Sequence, residues 1–215
     1  MLGGILASRH GLTALVVERR DGPQTSPAAH EVNARTYEIC RQAGLDMPIH
    51  AAAKDPVDSG HVNFVTHLTG QLIGHLPFER QGEACLEYTP TPLRNLPQHR
   101  FEPILADELR SCPGVELRYG QQWERSEEVD GAVVSTITDR ATDATTESVD
   151  DYDDRRCHEI IDRAAGVALD AEILGRGTWW MTSQTTESMG SGQVFLAGFA
   201  SGRGIATVLL GSLHR

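Results

Sequence analysis

The apolar run from Leu12 to Val17 ends in an acid, Glu18. A short run of this kind, rich in β-branched residues and bounded by turn signals, predicts a buried parallel strand. A carboxylate at the end of such a strand can accept both ribose hydroxyls of a nucleotide, one on each oxygen. The competing role for any strand-end acid is that of an ordinary surface residue. A second candidate is Gly202, Arg203 and Gly204, which follow an apolar strand at Val194 to Ala197 and precede a helical stretch from Ala206 to Leu213. Such a turn could cradle a phosphate, but the third glycine position is Thr207, and a bare G-x-G carries little information. His61, His67 and His75 lack zinc spacing and have no cysteine near them, so they read as surface histidines and no metal is expected. No G-x-S-x-G elbow offers an acyl-transfer serine. Trp179, Trp180 and Met181 form an aromatic patch whose simplest role is core packing. Cys40, Cys85, Cys112 and Cys157 include no C-x-x-C pair and read as reduced thiols, with Cys40 and Cys157 on apolar helix stripes.

The elements that must position these groups follow from periodicity. Met1 to His10 reads as a short helix stopped by Gly11. Val32, Ile39, Cys40 and Ala43 recur at helical spacing, with Gly44 as a left-handed stop. His61 to Leu76 alternates around Gly70 and predicts a hairpin. Pro90, Pro92 and Pro97 mark an extended connector. Phe101, Ile104, Leu105 and Leu109 then define an amphipathic helix in which Pro103 must occupy the first turn or kink the axis. Val115, Leu117 and Tyr119 alternate as a strand, and the segment from Gly131 to Val149 reads as strand, turn and strand, with the turn at Asp139 to Thr145. Cys157, Ile160, Ile161 and Ala164 mark a last clear helix, capped by Asp153 or Asp154 and stopped by Gly166. Helices alternating with apolar strands indicate an α/β chain with an antiparallel β excursion in the middle.

Composition narrows the function classes. The chain has 215 residues, 40% hydrophobic and 23% charged, with a formal charge of −11. That balance excludes a wholly disordered or collagen-like chain. The acidity argues against nucleic acid as a partner, because phosphate binding needs a basic face. Residues 124 to 154 carry eleven acids and two bases and read as a solvated hairpin and linker. No apolar run approaches the roughly 18 residues that span a bilayer, and no basic leader precedes a cleavage site, so the expectation is a soluble, cytoplasmic chain without a membrane partner.

Three separated strings, read in order, are more specific than any single motif. LASRHGLTALVVERRDGPQTSPAAHEVNARTYEICRQAGL, LEYTPTPLRNLPQHRFEPILADEL and GQVFLAGFASGR together resemble the FAD-dependent aromatic hydroxylases, the group A flavoprotein monooxygenases that include phenol and chlorophenol hydroxylases. The resemblance implies a partial Rossmann-like FAD-binding domain. It also implies FAD as cofactor, NAD(P)H as reductant, and oxygen transfer to a phenolic or polyketide-like aromatic. By the same resemblance, Glu18 would hold the adenosine ribose, Arg19 would lie along the adenine, and Gln98 would bond near the ribityl or diphosphate. Arg35 would be a helper, with a helix-surface role as the alternative, and Gly198 would give close backbone approach. No catalytic side chain is assigned.

The departures from the family are equally specific. Pro27, Ala28, Ala29 and His30 stand where the family carries P-R-A-H, and Gly198, Phe199, Ala200, Ser201 and Gly202 stand where it carries G-D-A-A-H. Phenylalanine cannot accept the hydrogen bond that the aspartate does. No G-x-G-x-x-G precedes Gly3, and most of the substrate-side strands expected after Val149 are missing. The expectation is therefore a truncated and internally deleted member. It divides into a partial FAD-binding domain with an inserted hairpin at 1–120, an acidic β-hairpin and linker at 121–154, and a remnant of the substrate-side segment and flavin-contacting loop at 155–215. A non-catalytic remnant without tight FAD binding is the alternative, and open sheet edges leave room for a homodimer.

Overall fold

The computed structural model describes residues 1–78, 81–130, 132–139 and 153–176, together with the backbone of 190–191, 194–197 and 207–208. In chain order the elements are α1 (Leu2–Arg9), β1 (Ala14–Glu18), β2 (Glu31–Val32), α2 (Ala34–Gln42), α3 (Asp46–Ala52), α4 (Pro56–Ser59), β3 (His61–Val65), β4 (Leu72–Pro77), a 3-10 turn (Glu83–Glu87), β5 (Arg94–Asn95), α5 (Gln98–Ser111), β6 (Val115–Tyr119), β7 (Gln121–Val129), β8 (Ala132–Asp139), α6 (Asp154–Ala165) and the short strands β9 (Gly190–Ser191), β10 (Val194–Ala197) and β11 (Thr207–Val208).

The positioning unit is the parallel pair β1 and β6, in register from Ala14 opposite Val115 to Glu18 opposite Tyr119. Strand residues alternate faces, so Ala14, Val16 and Glu18 share one face with Val115, Leu117 and Tyr119. Helices α1 and α5 cover that face. The close approach of α1 depends on Gly4, where a Cβ would stand 2.9 Å from both Leu109 Cδ1 and Val16 Cγ2. Around this layer Ile5, Val16, Val32, Tyr37, Cys40, Ala43, Leu45, Ile49, Leu96, Leu105 and Leu109 form one continuous core. The opposite face of β1 is open among the described residues, with Leu15 40% exposed. The expected buried strand is thus covered on one side only, because a two-layer packing of helices on sheet shields alternate residues.

Several helices match their sequence signals. Asn33 caps α2 by accepting a hydrogen bond from the Thr36 N–H at 2.8 Å, and Asp153 caps α6 through the Arg156 N–H at 2.8 Å. The expected stops Gly44 and Gly166 both have φ of +76°. Val32, however, lies on β2, which pairs with β5 ahead of α2. Pro103 sits in the body of α5, past the first turn.

The 61–76 hairpin is β3 and β4, and its turn holds the end of α6. The Leu68 N–H donates to the Ala164 carbonyl at 2.9 Å, and the Thr69 hydroxyl donates to the Ala165 carbonyl at 2.7 Å. A second hairpin is formed by β7 and β8, which close where Val129 pairs with Ala132 and Asp130 has φ of +52°. Strand β8 falls on the strand expected at Gly131 to Thr138, its partner β7 was not expected, and beyond Asp139 the expected turn and second strand lie outside the described residues. Glu124, Glu127, Glu128 and Asp130 on this hairpin are exposed, as a solvated acidic segment requires. Thr207 and Val208 pair with β10 as a strand, where a helix from Ala206 was expected. Gly198, the Gly202 to Gly204 turn and the Trp179 to Met181 patch lie outside the described residues. No helix among the described residues is long and apolar enough to cross a membrane.

Candidate functional site

Glu18 is the last residue of β1 and points to the covered face, where it is 7% exposed. A buried carboxylate needs donors, and Arg20 provides them. The Arg20 backbone N–H donates to Glu18 Oε1 at 3.0 Å and its Nε donates to the same oxygen at 3.1 Å. Glu18 Oε2 has a longer approach, 3.4 Å from Arg20 Nη2. Arg20 lies in the bend just past β1, where its carbonyl accepts from the Gly120 N–H at 2.9 Å and its side chain is partly buried against Glu18. Arg19 between them is exposed.

The start of α5 closes the other side. Glu102, 8% exposed, lies one turn after Gln98 and accepts from Arg20 Nη2 at 3.1 Å on Oε1 and 3.2 Å on Oε2. The Gln98 side-chain amide donates to Glu102 Oε1, and the Gln24 N–H donates to Oε2 at 2.6 Å. Arg20 Nη1 donates in turn to Gln24 Oε1 at 2.6 Å. The Gln98 backbone N–H binds the carbonyls of Ala28 at 2.9 Å and Ala29 at 3.1 Å, which seats the Pro27 to His30 loop against the helix start.

One guanidinium therefore bridges two buried carboxylates. Burial opposes the charge on Arg20 and would lower its pKa, but the hydrogen bonds and charges of Glu18 and Glu102 overcome this and raise it. Burial likewise pushes the Glu102 carboxyl up, and the Gln24 N–H, the Gln98 amide and Arg20 together hold it below its ordinary value. The amine at Met1 lies in the field of Glu102 and Glu18 at the start of α1, where burial lowers its pKa against their pull. The three side-chain charges sum to −1, so the cluster favours neutral hydrogen-bond donors such as ribose hydroxyls over another anion.

Two polar atoms beside this cluster are buried without a partner among the described residues: the hydroxyl of Tyr119, the register partner of Glu18, and Nδ1 of His99, next to Gln98. Burial raises the Tyr119 pKa, Arg110 lowers it, and Glu102 and Glu18 raise it further. An orphaned buried polar atom costs roughly 1–3 kcal/mol, which a bound ligand offering the complementary group would remove.

The residues singled out from sequence thus separate. Glu18 and Gln98, 80 positions apart, are joined through Arg20 and Glu102. Arg35 lies outside this hydrogen-bond network, 73% exposed in its side chain and paired with Glu38 at 2.9 Å one turn along α2. His67 Nδ1 meets the Ala165 carbonyl at 3.2 Å, and His61 packs edge-on to His75 at 5.0 Å between ring centres. Sequence reasoning missed Arg20, Gln24 and Glu102. The signal for Glu102 was present: it falls on the buried line of α5 with Leu105 and Leu109, where an acid needs a partner.

Comparison with known proteins matches residues 1–152 to the FAD binding domain family. The chain belongs to that family. This FAD binding domain is 25% identical over 143 residues to 2,4-dichlorophenol 6-monooxygenase of Delftia acidovorans, covering 65% of this chain and 24% of that protein. It is 28% identical over 153 residues to aklavinone 12-hydroxylase DnrF of Streptomyces peucetius subsp. caesius, covering 66% of this chain and 31% of that one. Among solved structures, the flavin-dependent monooxygenase PieE in complex with FAD and substrate superposes with a TM-score of 0.59 at 31% identity, over 65% of this chain and 25% of PieE. The chain spans about a quarter to a third of the length of these relatives.

Proposed function

We propose that this chain supplies the adenosine-side FAD contacts of a flavin-dependent monooxygenase that hydroxylates a phenolic or polyketide-like aromatic. The observation that carries the proposal is the buried acceptor pair at the carboxyl end of a parallel strand, Glu18 backed by Arg20 and Glu102, with the orphaned Tyr119 hydroxyl beside it. Ligands of α/β sheets bind at the carboxyl ends of their strands, so we read the β1 and β6 layer as Rossmann-like. In this reading Glu18 Oε2 accepts from the adenosine ribose, the exposed Arg19 lies along the adenine, and Gln98 faces the ribityl and diphosphate region. Arg35 joins only if its pair with Glu38 opens, and Gly198 supplies close backbone approach. Residues 1–120 form the cofactor part, 121–154 the acidic hairpin and linker, and 155–215 the flavin-contacting remainder. When bound, FAD reduced by NAD(P)H supplies the oxygen-transfer chemistry, and this chain's residues hold and orient it.

Titration of the purified chain with FAD, read by quenching of flavin fluorescence, tests the proposal. Saturable binding is expected, and Glu18→Gln should weaken it by about 10- to 100-fold, the equivalent of one charge-assisted hydrogen bond of roughly 1.5–3 kcal/mol. Absence of quenching and of any thermal shift with FAD would leave a remnant without cofactor and overturn the proposal.

A further inference from the structure

Three donor groups make four hydrogen bonds to the two oxygens of Glu102. Arg20 Nη2 reaches both, the Gln98 amide reaches Oε1, and the Gln24 N–H reaches Oε2. The remaining Arg20 donors are directed as tightly, with Nε on Glu18 and Nη1 on Gln24. We infer that Glu102 is a positioning residue of the cofactor site: by fixing Arg20 it holds the Glu18 carboxylate in one orientation, with Oε2 as its freer acceptor. The inference rests on the FAD-binding role proposed above.

The chemistry requires a carboxylate at this position. A carboxylate accepts on both oxygens, whereas an amide has one acceptor and would set its own N–H groups against Arg20 or the Gln24 N–H. Glu102→Gln keeps the volume and removes the second acceptor and the charge. Arg20 then loses its anchor on α5, and Glu18 is held from one side only. The coupling runs through one rigid, planar guanidinium, whose Nε and Nη2 face Glu18 and whose Nη2 alone reaches both oxygens of Glu102.

A double-mutant cycle separates positioning from a merely structural role. FAD affinity is measured for the full chain, for Glu18→Gln, for Glu102→Gln and for the double variant. Glu102→Gln alone is expected to weaken FAD by about tenfold, equal to about 1.4 kcal/mol. In the Glu18→Gln background the same change should cost less than about twofold, because the group it orients is already impaired. Equal losses in both backgrounds, or no loss from Glu102→Gln alone, overturn the inference.

A second readout is independent of cofactor. The Arg20 Nη2–H resonances in the NMR spectrum, from the nitrogen that donates to both Glu102 oxygens, should be shifted and slow to exchange in the wild type and in Glu18→Gln, and should broaden or exchange in Glu102→Gln. A signal unchanged by Glu102→Gln also overturns the inference, even where FAD binds. Should the wild type take up no FAD, the functional reading fails, and these resonances still decide whether Glu102 holds Arg20. Glu102→Asp, which keeps the charge, should restore part of the Arg20 protection. If Glu102→Asp behaves as Glu102→Gln, charge is not what anchors Arg20 and the inference falls.

Discussion

Replacing Gly4 with alanine tests whether α1 is pressed onto the sheet that carries Glu18. The added Cβ would lie 2.9 Å from Leu109 Cδ1 and 2.9 Å from Val16 Cγ2, with Val115 Cγ1 at 3.5 Å. Carbon atoms in ordinary contact sit about 3.5–4.0 Å apart, so two neighbours must each retreat by about 0.6 Å or more. Leu109 is fully buried, and Val16 is held by the β1 and β6 ladder, so neither moves freely. Overpacking of this kind costs roughly 1–3 kcal/mol. Against it stands the gain of about 1 kcal/mol from alanine over glycine inside a helix. The difference is a net loss of about 1 kcal/mol, which lowers Tm by about 2–4 °C for a chain of this size. Urea unfolding with an unchanged m-value, together with a thermal melt, measures it. Leu109→Ala alone should cost about 2–5 kcal/mol. It also removes the Cδ1 atom in the way, so the penalty of Gly4→Ala should shrink in the double variant. A single Gly4→Ala variant that melts higher than wild type would refute the close approach, since helix propensity would then act unopposed.

Two further predictions concern titration. Burial and the 2.6 Å hydrogen bond to Asp46 push the Tyr37 hydroxyl up to about 12. Its folded value exceeds its unfolded one, so its contribution to stability is full below about pH 10 and is lost as pH rises through about 12. Ultraviolet titration after a rapid pH jump should show at least one of the four tyrosines ionising late, and ionisation of all four by about pH 10.5 would contradict it. The Cys40 thiol is wholly buried and is pushed up to about 11 by that burial. An alkylating reagent at pH 8 should therefore label Cys40 only after denaturant is added, as read by peptide mass spectrometry, and rapid native labelling would place it outside the core.

Much of the local structure was legible in the sequence because it is written in neighbouring residues. The cap Asp153 sits beside the group it bonds. The stops at Gly44 and Gly166 need only their own left-handed backbone, and the 61–76 hairpin follows from alternation around Gly70. Strand β7 was not read from the sequence, although Asp130 and Gly131 between two alternating runs are a two-residue hairpin signal. Glu18, Arg19 and Gln98 were named from the resemblance; Glu18 and Gln98 join one buried network, and Arg19 is exposed beside it.

The sequence by itself determined the family, the helices α1, α2, α5 and α6, the strands β1 and β6, and the two ends of the candidate site, whereas α3, α4, β2, β5 and β7 were not read from it. Tertiary structure alone decided that those ends meet, since Arg20 and Glu102 lie 82 positions apart and no spacing rule connects them. It also decided which face of β1 is covered, because α1 and α5 could have packed on either side as far as alternation is concerned. The physical reason is common to both. Periodicity reports which residues of one element share a face, whereas a buried charge must find its counter-charge in three dimensions, and only the packed chain shows which arginine comes within 3.1 Å of that carboxylate.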